Sequence, residues 1–253
     1  MAMLLDGPPS TIEDLTLRDS DLMNLAVSEG IDLTAKLKLA AADIGITVES
    51  MLLSARSSRS FGQPQPGLKH IAVTQQLKLW HIYASLRLIY QDLYYTRLND
   101  RYRAKMTLYR EEETRMLDEV RTTGLGVVFD PLPQALAPNI RSVQTSDAGG
   151  VMYVAVAFVN LRGEEGLMSV PVEADTQDGS ASSVTLSALA DNAVGWNLYA
   201  GLAPDALTRQ NSDTLDPVAS RVLAPGRLSA GTQTMFGQQA NVLYPVPRRI
   251  LRG

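Results

Sequence analysis

The sequence predicts a segregated α+β protein, with an N-terminal helical bundle, then a β-sandwich, then an extended C-terminal arm. Three observations predict it. Of 18 glycines, 13 come at or after Gly124, as do 9 of 13 prolines. All five lysines (Lys36, Lys38, Lys69, Lys78, Lys105) come before that point. Six of the nine tyrosines lie between Tyr83 and Tyr109. Glycine and proline punctuate short strands and turns and are kept out of helix interiors. Helices therefore belong before Gly124 and strands after it, with expected divisions at 1–123, 124–216 and 217–253. A chain of 253 residues that is 45% apolar suits one large domain or two ordinary ones, with enough core to fold.

In chain order, Ser10-Thr-Ile-Glu13 fits a capping box after Pro8-Pro9 and marks a helix start. Asp19-Ser20 is placed to cap a second short helix ending near Gly30. Asp32 to Thr34 open a third, in which Leu33, Leu37, Ile44 and Val48 keep one face apolar. Residues 54–67, rich in serine, glycine and proline, read as a loop.

The strongest helical stretch runs from about Ile71 to Arg121. Leu79, Ile82, Leu86, Ile89 and Leu93 form one stripe. Trp80, Tyr83, Arg87, Tyr90 and Tyr94 form a second, one residue along and about 100° around. Two stripes imply packing on two sides, within the bundle and against something else. The second stripe is accordingly the expected subunit interface. Asn99-Asp100 interrupts the pattern, and Tyr102, Met106, Tyr109, Met116 and Val120 resume it. Two consecutive helices, or one bent helix, are expected, ending at Gly124.

After a proline-rich connection, Val151 to Asn160 is a β-branched and aromatic run of strand length, with turn residues at 162–166. Leu167 to Glu173, Ser183 to Leu189 and Trp196 to Ala200 are further strand candidates. Several short strands at such spacing suggest a sandwich of immunoglobulin-like type. The last 37 residues contain five arginines and no acid. They lack periodicity, and their prolines favour extended backbone. Tyr244, Arg248, Arg249 and Arg252 are the expected partner-binding anchors of this arm.

Charge is layered. Residues 6–49 carry nine acids and three bases, whereas residues 56–110 carry ten bases and two acids. These layers can neutralise one another within one bundle, meet across neighbouring identical subunits, or touch nucleic acid. A net charge of −4 and the lack of any recognisable nucleic-acid motif argue against sequence-specific binding.

Little points to catalysis. With no cysteine, disulfide scaffolds, thiolate metal sites and cysteine nucleophiles are excluded. On one helix His70 and His81 would be separated by a rise of roughly 16 Å. Zinc ligands sit about 2 Å from the metal, so that helix alone cannot bring both histidines to one ion. Glu111-Glu-Glu113 reads as a surface charge run. Ser169 lacks the second glycine of a nucleophile elbow. Gly124-Leu-Gly126 follows a helix, the reverse of a dinucleotide fingerprint. No enzyme, metal or cofactor is expected. No apolar run approaches the roughly 20 residues of a membrane span, and residues 1–10 lack a signal pattern, so a soluble chain is expected.

Two resemblances add to this. Tyr153-Val-Ala-Val-Ala-Phe-Val-Asn160-Leu-Arg-Gly163-Glu-Glu-Gly-Leu-Met-Ser169 resembles the fibronectin type III pattern. Gly195-Trp-Asn-Leu-Tyr-Ala-Gly201 is similar to the GWNVY-G strand of such modules in bacteriophage virion proteins. The helical half, with Leu77-Lys-Leu-Trp-His-Ile-Tyr83 and Asp100-Arg-Tyr-Arg-Ala-Lys-Met-Thr-Leu-Tyr109, resembles phage head-to-tail connector (adaptor) proteins. The resemblance implies a structural virion protein of the neck, assembled in the host cytoplasm as a dodecameric ring. Its implied partners are further copies, the portal protein and tail or nozzle proteins, with DNA passing non-specifically and no membrane. An alternative is a tail or baseplate component whose β module binds carbohydrate through Trp196 and Tyr199. Positions three apart on a strand face opposite sides, which counts against that platform.

Overall fold

A computed structural model describes residues 3–56, 66–97, 100–232 and 237–244, and the side chains of 55, 56 and 97 are outside that description. The chain divides into two compact units, one of residues 3–129 and 240–253, the other of residues 1–2 and 130–239.

The first unit is mostly helical. Thr11 caps α1 (Ile12–Thr16), completing a capping box with Asp14 one residue later than expected. Ser10 is drawn off by His81 instead. α2 (Leu22–Glu29) begins without a side-chain cap from Asp21 and stops at Gly30, which is left-handed with φ 70°. α3 (Leu33–Arg56) is capped by Asp32, whose Oδ1 accepts from the Ala35 amide at 3.0 Å. Thr74 caps α4 (Gln75–Arg97) through the Leu77 amide at 3.3 Å.

α5 (Asp100–Thr123) folds back antiparallel on α4. Tyr83 stacks on Tyr109 at 6.4 Å between ring centroids, and Tyr90 meets Tyr102 at 6.3 Å. The long stretch is therefore two helices. Leu86, Ile89 and Leu93 of the first stripe form a core with Leu15, Leu22 and Leu37.

This unit closes with a small antiparallel ladder. β1 (Leu125–Val127) pairs with β9 (Val242–Tyr244), in the register Leu125↔Tyr244 to Val127↔Val242. Bridges Ile71↔Val127 and Met3↔Ala72 extend it. The Phe129 amide also donates to the Asn241 side chain at 2.9 Å. The chain thus leaves this unit after Phe129 and re-enters it at Ala240, beside the strand it left. The intervening residues are an insertion.

The second unit holds two antiparallel sheets. β2 (Asn139–Gln144), β5 (Ser180–Thr185) and β8 (Arg221–Leu223) form one, in the order β2-β5-β8. β4 (Val172–Thr176), β3 (Gly150–Val159), β6 (Gly195–Gly201) and β7 (Thr208–Arg209) form the other, in the order β4-β3-β6-β7. Side chains alternate across a strand. Met152, Val154, Val156 and Phe158 point inward with Trp196 and Leu198, against Val184 and Leu223 of the other sheet. Ala155, Ala157 and Tyr199 point outward and are covered by Leu207 and Met168. Burial on both faces explains the unbroken apolar run of β3.

Residues 217–253 are thus not a single arm. β8 belongs to the β unit, β9 to the helical unit, and residues 245–253 lie outside the described residues. Two-strand pairing, which needs no side-chain periodicity, incorporates a segment that otherwise reads as irregular. Two strand expectations also shift: Leu167 to Glu173 becomes Val172–Thr176, and Ser183 to Leu189 becomes Ser180–Thr185.

Candidate functional site

Tyr83, Arg87 and Tyr90 of the second stripe of α4 meet α5 of the same chain. Trp80 and Tyr90 are only 3% and 1% exposed, so the expected subunit interface is corrected at both: they are core residues. Tyr83 and Tyr94 are half-buried and pack against the helical core. Arg87 forms an ion pair with Glu113 and donates to Gln91 at 2.9 Å. The physical reason is that Tyr102, Met106 and Tyr109 of α5 supply a matching surface, and an intramolecular partner is always at hand. Glu113 is accordingly not part of a solvated charge run.

At the centre of the helical unit is Asp19, 5% exposed. Its Oδ2 accepts from the Tyr90 hydroxyl at 2.5 Å and from the Tyr109 hydroxyl at 3.0 Å. Lys105 Nζ donates to both oxygens, at 2.9 and 2.8 Å, and lies 5.2 Å from the Tyr90 ring centroid. Burial pushes the Asp19 carboxyl up, but the bonds from Lys105, Tyr90 and Tyr109 outweigh it and hold it below the ordinary range. Burial, then the Asp19 hydrogen bond, raises the Tyr90 hydroxyl. Burial and the Asp19 charge raise Tyr109. Local sequence rules place Asp19 as a helix cap. Its partners are more than seventy positions away, and only the apposition of α4 and α5 reveals them.

The acidic and basic layers meet within the chain. Asp14 pairs with Lys78 at 2.8 Å, Glu29 with Arg101 at 3.5 Å, and Asp19 with Lys105. Intrachain neutralisation accounts for these residues. Their ion pairs organise the bundle rather than offering themselves to a partner.

Both histidines are held by hydrogen bonds within the helical unit. His81, fully buried, accepts from Ser10 Oγ at Nδ1 (2.7 Å) and donates from Nε2 to the Leu37 carbonyl (2.9 Å) in its neutral form. Burial lowers its pKa. His70 Nδ1 accepts from the Gly67 amide at 3.0 Å, and burial lowers its pKa too. Among the described residues no cluster of three or more His, Asp or Glu side chains could hold a metal ion. No helix among them is long and apolar enough to cross a membrane.

In the β unit the motif residues have structural roles. Asn160 Oδ1 accepts from the Arg162 and Glu164 amides, both at 3.0 Å, and so shapes the turn after β3. Ser169 Oγ accepts from the Val156 amide at 3.1 Å. Trp196 Nε1 donates to the Asp216 carbonyl at 2.8 Å, and the Tyr199 hydroxyl donates to Glu165 at 2.6 Å. Asn197 Oδ1 accepts from Arg209 at 2.8 Å and from Asn211 at 2.9 Å. A Cβ on Gly195 would sit 2.5 Å from the Leu215 carbonyl oxygen, and one on Gly201 2.3 Å from that of Ala206. Trp196 and Tyr199 are buried on opposite faces of their sheet, so neither ring is presented to a sugar.

Of the arm residues, Tyr244 is 3% exposed at the end of β9, an internal anchor rather than a partner contact. Arg248, Arg249 and Arg252 lie outside the described residues. No protein-family model matches this chain, and neither does any curated protein.

Both units leave apolar residues open, Leu161, Val170 and Val218 in the β unit and others on the outside of the helical unit. α3 exposes Leu39, Ile46 and Leu53, and α5 exposes Leu108 beside Arg103, Ala104, Thr107 and Glu111. These faces are where sequence reasoning fell short. Aliphatic residues at a seven-residue spacing (Leu39, Ile46 and Leu53) are the signal, overshadowed by the aromatic stripe of α4.

Proposed function

We propose that this chain is a structural protein of a bacteriophage virion, a head-to-tail adaptor whose copies form a dodecameric ring between the portal and the tail. DNA passes through the ring without sequence-specific contact, and the chain performs no catalysis. The observation that carries the proposal is the insertion of the β unit into the helical unit between β1 and β9, giving two compact units with separate cores. One chain then offers distinct surfaces to distinct neighbours, as a connecting part requires.

Support for the fibronectin type III part comes from the two antiparallel sheets packed around Trp196, and from the structural roles of Asn160, Gly195 and Tyr199. Arg248, Arg249 and Arg252, which follow the anchored Tyr244, remain the proposed contacts to a partner's carboxylates. The tail-module alternative loses its sugar platform to the burial of Trp196 and Tyr199.

Co-expression with the portal protein of the same virus, followed by negative-stain imaging, tests the proposal. A ring of this chain stacked on the portal ring is the expected result. A chain that stays monomeric and never copurifies with the portal overturns it.

A further inference from the structure

α4 lies between α3 and α5. His81 bonds to the Leu37 carbonyl and Asp92 pairs with Lys36, both on α3. Tyr83 and Tyr90 meet Tyr109 on α5. His81 and Tyr83 are two positions apart, about 200° around the helix, so α3 and α5 occupy opposite sides of α4. Their outer faces therefore look away from each other.

Those outer faces are unlike. On α3, Leu39, Ile46 and Leu53 are 46%, 68% and 51% exposed. Each stands two residues beyond a buried one (Leu37, Ile44, Met51), on the side opposite the core. The seven-residue spacing makes them a row of knobs. Asp43 and Glu49 flank Ile46, and Lys38 flanks Leu39. On α5, Ala104, Thr107 and Leu108 line a shallow depression with Asp100, Arg103 and Glu111, and Thr114 lies in a second with Arg110, Glu111, Asp118 and Glu119. Thr107 and Thr114 are also seven apart, about 10 Å, the spacing of the α3 knobs. Among the described residues, no ion pair includes Asp43, Glu49, Arg103 or Arg110.

We propose that the outer face of α3 docks on the outer face of α5 in a second copy of this chain. Run antiparallel, the two helices place Ile46 between Thr107 and Thr114. Arg110, with Glu111 beside it, is then level with Ile46 and between Asp43 and Glu49, and Lys38 lies toward Asp118 and Glu119. The contact joins two different faces of one chain, so it is heterologous, the kind of contact that closes as a ring when the rotation between copies returns to the start. It rests on the adaptor reading and names the surface that reading needs.

The chain has no cysteine, which makes the test clean. Ile46→Cys, Thr107→Cys and the double variant are treated as full-length protein with a short bismaleimide, with and without portal protein. The expected result is a ladder of cross-linked multimers from the double variant and none from either single variant. A cross-linked dimer from Ile46→Cys alone means α3 pairs with itself, and overturns the proposal. Rings in images without any ladder overturn this surface but leave the adaptor reading standing. Monomers throughout, even with the portal, overturn both. Ile46→Glu is the companion variant: its melting temperature should match the parent while ring formation is lost.

Discussion

Asp19 and Tyr90, 71 positions apart, share a 2.5 Å hydrogen bond in the interior of the helical unit. The bond ties the segment between α1 and α2 to α4, and the Tyr109 hydroxyl ties the same carboxylate to α5. Truncating Asp19 leaves two buried hydroxyls and a lysine without their acceptor. Removing one partner of such a cluster costs the desolvation of those left behind. Asp19→Ala should destabilise the helical unit by about 2–4 kcal/mol. Thermal unfolding followed by circular dichroism checks it; an unchanged midpoint would show that the cluster contributes nothing.

Acid should weaken this unit in two separable steps. His81 is buried neutral with a lowered folded pKa, so its contribution is complete above the unfolded value near 6.5 and is lost as pH falls from there toward the folded value. Asp19 and Asp14 also have lowered folded values, and their contribution is present above about 4 and lost as pH falls through those values. The melting temperature should decline first below about pH 6.5 and again below about pH 4. In His81→Gln the first decline should shrink to the part carried by His70, whose folded pKa is also lowered, and the second should be retained.

Gly195 faces a carbonyl at a distance no Cβ tolerates. Gly195→Ala should destabilise the β unit by about 1–3 kcal/mol through forced backbone movement. Gly226→Ala, with open space around the new methyl, is the matched control and should be close to neutral. One tryptophan lies in each unit, so fluorescence of Trp80→Phe and Trp196→Phe backgrounds assigns the loss. A β-unit transition, reported by Trp196, that is equally stable in both glycine variants would refute the steric argument.

Because Val127 and Asn241 are already joined by a 2.9 Å hydrogen bond, the β unit can be removed at its root. Replacing residues 130–239 by a short Gly/Ser loop should leave a cooperatively unfolding helical protein. Loss of its thermal transition would mean that the helical core needs the inserted unit to fold.

Much of the fold was legible where a local rule coincides with the tertiary outcome. The change of composition at Gly124 marks where helix gives way to strand, and the runs around Val154 and Trp196 are the two central strands of the larger sheet. Period-two alternation correctly puts Trp196 and Tyr199 on opposite faces. The failures share a cause. Asp19 and Ser10 obey capping rules locally, yet distant partners, Tyr90 with Tyr109 and His81, claim them. β2 is a polar edge strand whose alternation is weak, and β1 and β9 are three residues each, below the length at which pattern is informative. The second stripe of α4 was a real packing signal, but periodicity cannot say whether the partner is the next helix or the next molecule.

The β1–β9 ladder also sets how the chain bears mechanical load. Leu125 lies opposite Tyr244, so a pull on the C-terminus against the helices opens the ladder from one end, rung after rung, instead of shearing it. While those rungs hold, tension passes directly from Tyr244 to Leu125. Along the chain the inserted residues 130–239 are then bypassed, a loop tied at its neck by the ladder.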